Sequence, residues 1–366
     1  YGPVLERLTP RGHDPFIHIV DSGGGCEHPD LNRANIILKK DYVDGDNDPC
    51  SSSDGMNPHG EFVAAIMCAI SNNSHGGAGI CPPNTKLVIR RVFTRNGFSF
   101  SSTIVLALAD IVTESSGLGN EIVNMSFSGP RRDIFEELII TNGSAIKENG
   151  GKNIIFIAGS GNNGNLTPGY PAAFNEVMSA GASELPRVET GEVSRASYSS
   201  YGKVDIVAPV GSSGQDNDQN GIDDGILVEG RTYDKDGKNP TLFGAYLFWG
   251  TSGAAPIISG VAASLINMGI YGPTAIRKVL TETAGDIPPF GYDQETGWGV
   301  VRADVAVMSV DNSFPVFGSF SQNSYVCAAA PGESACQVSV NYKVKSGSCK
   351  CRLILFATHE KLDLWE

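Results

Sequence analysis

From residue 16 to about residue 310 the chain alternates short, continuous apolar runs with longer stretches of helical length. The runs are FIHIV (16–20), KLVIRRV (86–92), EIVNMSF (121–127), NIIFIAG (153–159), VMSAGA (177–182) and VDIVAP (204–209). Most are followed by Gly- or Ser-rich loops, and several are separated by HGEFVAAIMCAI, SSTIVLALADIVTES and IFEELIITNGSAIKENGG. A strand that is apolar throughout, rather than at every second residue, is buried on both faces. Alternation of such strands with helices predicts βαβ units and a parallel sheet covered on both sides. In sheets of this kind chemistry gathers at the carboxyl ends of the strands. Residues 311–366 change character. QVSVNYKVKSG alternates, with Val338, Val340, Tyr342 and Val344 on one face, and SCKCRLILFA follows a Ser-Gly turn. That predicts a half-exposed antiparallel ribbon and a domain boundary at residue 310.

Composition narrows the function classes. The 366 residues suffice for one large domain and a small one. A formal charge of −13 argues against nucleic acid or an anionic membrane surface as partner. No stretch reaches the roughly 18 uninterrupted apolar residues of a membrane span. The opening YGPVLERLTP lacks a Met, a basic n-region and an apolar h-region, and reads as a processed, mature chain. Eight cysteines in an acidic, Gly-rich chain predict disulfides and an oxidising compartment. In the tail, Cys349 and Cys351 share a strand face and pair outward, with Cys327 and Cys336; two connectivities stay open.

Ser252 stands between Gly250 and Gly253 at the head of FWGTSGAAPIISGVAASLI. Taken alone it reads as a helix N-cap, with Pro256 in the first turn, where proline is tolerated. As a nucleophile it needs a histidine base and a carboxylate that orients the base. His59, in MNPHGEFVAAIMC, lies at a loop-to-helix junction, and Asp21 ends the buried run FIHIVD ahead of Ser and three glycines. Each is weak evidence alone. Together they supply one role each.

The blocks IVDSGGGCEHPDL, HGEFVAAIM and GTSGAAPIISGVAASL resemble those of subtilisin-type serine proteases, in that family's Asp, His, Ser order. IVNMSFSGP, IAGSGNNGN, YPAAFNEVMSAGA and TGWGVVRADVAV agree, so the resemblance spans roughly residues 15–310. It implies an α/β fold, a subtilisin-like three-layer sandwich with a mostly parallel central sheet, here followed by a small β-rich C-terminal extension. It also implies that Asp21 is the orienting carboxylate, His59 the base, Ser252 the nucleophile and Asn162 the side-chain amide of the oxyanion hole. Substrate is then expected to lie extended along Ser126, Phe127 and Ser128. The primary pocket is expected from Ala158, Gly159, Ser160 and Asn163, a small neutral lining that favours an apolar or uncharged residue before the cleaved bond. Asp-Ser-Gly in the first block points away from kexin- and furin-like relatives. Glu61 and Ala65 depart from the usual His block. Two readings of Glu61 stay open, a raised pKa of the base or a shifted substrate preference.

The resemblance also implies calcium at two or more sites. Asp30 and Asn73 match side-chain ligands of the family's tight site, with carbonyls from Ser71, His75 and Gly77. In GQDNDQNGIDDGI, the residues Asp216, Asp218, Asn220, Ile222 and Asp224 fall at alternate positions. Leu227 stands where an EF-hand needs glutamate, so the segment resembles an inserted Asp/Asn calcium loop instead. YDKDGKNP (233–240) reads as a turn. Cys68 pairs with Cys81 across the first calcium loop, and Cys26 with Cys50. The expected protein is a secreted, monomeric serine endopeptidase acting on protein and peptide substrates, with its own propeptide as folding aid and inhibitor.

Overall fold

Apolar runs without alternation form the strands of one sheet. These are β1 (Phe16–Asp21), β2 (Ile36–Asp41), β3 (Lys86–Arg91), β4 (Glu121–Met125), β5 (Ile155–Gly159), β6 (Met178–Ser183) and β7 (Ile206–Pro209). They lie in the order β2-β3-β1-β4-β5-β6-β7, every pair parallel. The computed structural model describes residues 12–310 except Asp54, 147–149 and 235–239, and the two segments 354–358 and 361–365. The helices are α1 (His59–Cys68), α2 (Ser101–Glu114), α3 (Ile134–Ser144), α4 (Thr251–Asn267), α5 (Pro273–Glu282) and α6 (Ala303–Val310). Successive strand residues point to opposite faces. Val123 and Met125 therefore pack with Leu108 and Ile111 of α2 and Ile140 of α3, while Asn124 between them bonds Ser259 of α4. Helices α2 and α3 cover one face, and α4 with α1 covers the other. This is the three-layer α/β architecture expected from the run pattern.

Helix α4 is buried along its whole length apart from Ser252. A helix that is apolar all round belongs in a core, and only its second residue is left open. One expectation is corrected here. Gly250, not Ser252, caps the helix, and Pro256 lies inside it, in the second turn. The carbonyl that proline deprives of a partner is taken up by a side chain from the segment after β4.

Among the elements not read from the sequence are one edge strand of the sheet and a hairpin. Strand β2, IILKKD, sits at the sheet edge, half exposed, where lysines replace the apolar run and discourage further pairing. The antiparallel hairpin β8 (Ile226–Tyr233) and β9 (Pro240–Phe248) leads straight into α4. Gly230 lies opposite Gly244 in it, which weakens any strand signal. The Phe62 ring fills the space above Gly230, where an added Cβ would come within 2.3 Å of it.

Disulfides join Cys26 to Cys50 and Cys68 to Cys81, with Cα atoms 6.0 and 5.1 Å apart. These are the expected pairs. Contacts divide the chain into two units, Tyr1–Val307 and Met308–Glu366. In the second, β10 (Ile354–Thr358) and β11 (Lys361–Trp365) pair antiparallel. The alternating segment at 337–347 and Cys327, Cys336, Cys349 and Cys351 lie outside the described residues, as does most of the turn at 233–240.

Candidate active site

Strand β1 lies where the chain order reverses, with β3 on one side and β4 on the other. This is where an open α/β sheet leaves a crevice at the strand ends. Asp21, at that end, is 2% exposed. Its Oδ1 accepts from His59 Nδ1 at 2.8 Å and from the Ser22 N–H at 2.7 Å. A carboxylate only accepts, so the imidazole proton sits on Nδ1 and Nε2 is left with its lone pair. The pair is held by its neighbours. Ser22 Oγ donates to the Asn57 carbonyl and accepts from the Gly60 N–H, both at 2.9 Å. Asn57 Oδ1 accepts from the His59 N–H at 3.0 Å. Gly60 is required at its position, because a Cβ there would sit 2.4 Å from the Gly23 carbonyl oxygen.

Burial alone would depress the His59 imidazole, but the charge of Asp21 and its hydrogen bond outweigh burial and raise the pKa above 6.5. A base must be neutral to act. The acid limb of kcat/KM on an uncharged peptide is therefore expected above pH 6.5, the ordinary histidine value. A pH–rate profile checks this, and a limb below that value would contradict it. For the fold the sign is opposite. The pair stabilises below about pH 6.5, and that contribution is lost as pH rises through the raised value.

Asn162 follows β5 and faces the start of α4. Its Oδ1 accepts from the Thr251 N–H at 2.8 Å and the Thr251 hydroxyl at 3.0 Å. A main-chain N–H can only donate, so the amide oxygen faces α4 and the NH₂ group is turned away from it, free to donate. The Thr251 hydroxyl accepts from the Gly161 N–H at 3.1 Å, which fixes its proton on Asn162. Gly250 has φ +101°, and a Cβ there would lie 3.1 Å from Asn162 Nδ2. The amino end of α4 adds its partial positive charge nearby. Ser252 Oγ donates to the Ser126 carbonyl at 2.8 Å. Ser22 and Thr251, the two hydroxyls that orient these groups, were not singled out from the sequence. Their only signal was adjacency to Asp21 and Ser252.

Asp21, His59, Asn57, Phe93, Ser126 and Phe127 line a cleft of about 210 Å³. Ser128 continues into a second hollow of about 720 Å³, walled also by Gly161, Asn163, Gly169, Tyr170 and Ala173. Of the residues expected to form the pocket, only Asn163 lines this hollow. Ala158 lies in the core against α2 and α3, and Gly159 abuts Thr251. Ser160 is fully buried and donates to the Ser200 carbonyl at 2.7 Å. Lys203 also reaches the hollow. Its ammonium is occupied by the carbonyls of Ala172, Phe174 and Val177 at 3.0, 2.8 and 2.6 Å.

Glu61 is buried, and its carboxylate accepts from the Arg231 N–H at 2.9 Å and the Gly25 N–H at 3.3 Å. It staples the β8–β9 hairpin to the loop after β1. The shift of His59 arises from burial and Asp21, without Glu61. Phe248, at the end of the same hairpin, lies against the His59 ring with centroids 5.6 Å apart.

Two oxygen-rich places fit a hard cation. Asp30 is 1% exposed and accepts from Asn73 Nδ2 at 2.6 Å. Asn73 Oδ1 is turned to the His75 N–H at 3.0 Å, so its amide nitrogen, not its oxygen, faces Asp30. Ser71, His75 and Gly77 follow the same exposed loop. Gly76 leaves a gap there, since a Cβ would lie 2.3 Å from Asp30 Oδ2 and 3.1 Å from Glu229 Oε2. Glu229, on β8, is a carboxylate that the sequence did not point to. Burial lifts the Asp30 carboxyl, and the Glu229 charge adds to that. His28 ties the two segments, accepting the Asp30 N–H at 3.1 Å and donating Nε2–H to the Glu229 carbonyl at 2.9 Å. At the second place, carboxylate oxygens of Asp216, Asp218 and Asp224 lie within 4.8 Å of one another. Asp224 is buried, and its Oδ1 has no hydrogen-bond partner. Asn220 Oδ1 accepts from the Ile222 N–H at 2.8 Å, and Ile222 itself is exposed.

Among the described residues no helix is long and apolar enough to cross a membrane. Residues 12–299 match the model of the subtilase family. The chain is 32% identical over 277 residues to a thermophilic serine proteinase of Bacillus sp. strain AK1, covering 75% of this chain and 57% of that protein. It is 29% identical to thermitase of Thermoactinomyces vulgaris, covering 76% of this chain and 84% of thermitase. Among solved structures it is similar to a protease from Pseudoalteromonas arctica PAMC 21717. The TM-score is 0.66 at 25% identity, over 84% of this chain and 93% of that one. With the fold, the order of the blocks and the family match in agreement, the chain belongs to the subtilase family of serine endopeptidases.

Proposed function

We propose that this chain hydrolyses peptide bonds through an acyl-enzyme on Ser252. His59 takes the serine proton and returns it to the leaving amine, and Asp21 stabilises the imidazolium. The Asn162 NH₂ receives the oxyanion. The observation that carries this reading is the Asp21–His59 bond at the end of β1, in a cleft whose wall residue Ser126 is hydrogen-bonded both ways to Ser252, the one uncovered residue of α4. Ser252 must turn its hydroxyl from the Ser126 carbonyl to Nε2 for the attack. The peptide runs along Ser126 to Ser128, which join the cleft to the larger hollow. Because Lys203 is tied down by three carbonyls, that hollow offers no free cation among its described lining residues, and the residue before the cleaved bond is apolar or uncharged. A fluorophosphonate probe is expected to label Ser252, and a peptide library to favour Phe, Leu or Met before the bond. Absence of labelling in folded chain would sink the peptidase reading, and cleavage confined to basic sites would sink the pocket reading.

The disulfides support secretion into an oxidising compartment. Calcium is the cation the two acidic places suit, because they offer carboxylates and carbonyls without soft ligands. Asp30 and Glu229 would hold one ion with carbonyls of the loop at 71–77, and Asp216, Asp218 and Asp224 another. A bound ion would neutralise these clusters and hold the hairpin and loop in place. EDTA is expected to lower the melting temperature by on the order of 5 °C. An unchanged melt would remove calcium from the account.

A further inference from the structure

We propose that Ser126 is a positioning residue for the nucleophile, its hydroxyl supplying to the Ser252 carbonyl the hydrogen bond that Pro256 withholds. The inference rests on the peptidase reading above. In an uninterrupted α-helix the carbonyl of residue 252 would accept from the main-chain N–H of residue 256. Residue 256 is a proline inside α4. It has no N–H, and its ring crowds the carbonyl four residues back. The carbonyl left without its helical partner belongs to the residue whose side chain must be held most firmly.

Ser126 Oγ donates to that carbonyl at 3.0 Å. The direction of the bond follows from the network behind it. The Ser259 hydroxyl donates to Asn124 Oδ1 at 3.0 Å. That leaves the Asn124 NH₂ group to donate to Ser126 Oγ, also at 3.0 Å. The Ser126 hydroxyl, already accepting, sends its own proton to Ser252. Asn124 and Ser259 are fully buried and Ser126 is 2% exposed, so these groups do not exchange their partners for water. The network leaves α4 two turns beyond the nucleophile, passes through β4 and returns to the first turn of the same helix. Ser252 reciprocates, its Oγ donating to the Ser126 carbonyl at 2.8 Å. Holding the Ser252 carbonyl fixes the peptide plane after residue 252, and with it the direction of the bond from Cα to Cβ.

The test is a double-mutant cycle in the full chain with Ser126→Ala and Pro256→Ala. It is read in kcat, KM, the rate of fluorophosphonate labelling and thermal melting. Ser126→Ala is expected to lower kcat and the labelling rate about 10- to 100-fold, as a slightly misplaced reacting group does. KM should change by less than about threefold. Adding Pro256→Ala returns a main-chain N–H to the Ser252 carbonyl. It should bring kcat to within about threefold of Pro256→Ala alone. A loss that Pro256→Ala does not relieve, or one confined to KM, would overturn the inference. If melting shows Ser126→Ala unfolded, Ser259→Ala takes its place in the cycle, with a smaller loss that Pro256→Ala must again relieve. A wild-type chain that neither cleaves nor labels overturns the peptidase reading and this inference with it. Normal labelling in both wild type and Ser126→Ala overturns the inference alone.

Discussion

Replacing Ser252 with alanine is expected to lower kcat on a peptide substrate by on the order of 10⁶-fold and to abolish fluorophosphonate labelling. The magnitude is that known from subtilisin, where the same triad has been dismantled. The physical case here is local. Ser252 is the one residue of α4 that is not buried, and its neighbours Gly250 and Gly253 keep side chains away from it. Alanine preserves helix propensity, so the melting temperature should barely change. A slow residual rate should survive, because the oxyanion donors and the cleft remain. A loss of less than about tenfold would mean that another group is the nucleophile.

The second large effect is expected at Asn162. Asn162→Leu should lower kcat by about 10²–10³-fold with little change in KM, since the amide NH₂ is needed only when charge develops on the substrate oxygen. Thr251→Val should give a smaller loss in the same parameter. It removes one of the two bonds that turn the amide oxygen toward α4 but spares the main-chain N–H. Kinetics of both variants on one peptide ester check the order. A change confined to KM at Asn162 would place that side chain in ground-state binding instead.

The parallel sheet was legible because most of its strands are mainly apolar runs without alternation, a pattern that fits strands covered on both sides. Strand β2 escaped for the complementary reason: at the edge, lysines are tolerated and useful. The hairpin before α4 escaped because one of its paired glycines, Gly230, is dictated by the Phe62 ring, which comes from a distant helix. At the site, Asp21, His59 and Ser252 could be picked out because each stands at the edge of an apolar element beside glycine. The roles of Ser22, Thr251 and Glu61 could not. Their partners lie 35 to 170 positions away, in segments with no local signature. Pro256 misled for a similar reason. Sequence placed it in the first turn, and only the folded chain reveals a hydroxyl from the segment after β4 that makes a second-turn proline acceptable.

The seven-stranded sheet contains no pair of neighbours joined by a tight turn, because every pairing in it is parallel. Its contacts are therefore remote in sequence, and such folds assemble slowly, since loop-closure entropy is lost before the contacts that repay it form. The proposed catalytic groups lie far apart along this chain. Asp21 and Ser252 are separated by roughly 230 residues, and His59 meets the hairpin that precedes Ser252 at Phe248. A chain folded only as far as β4 would hold Asp21 and His59 but no nucleophile. On the proposed triad the chain would become able to cut only once α4 docks, so half-folded copies would be prey to finished ones but could not themselves attack.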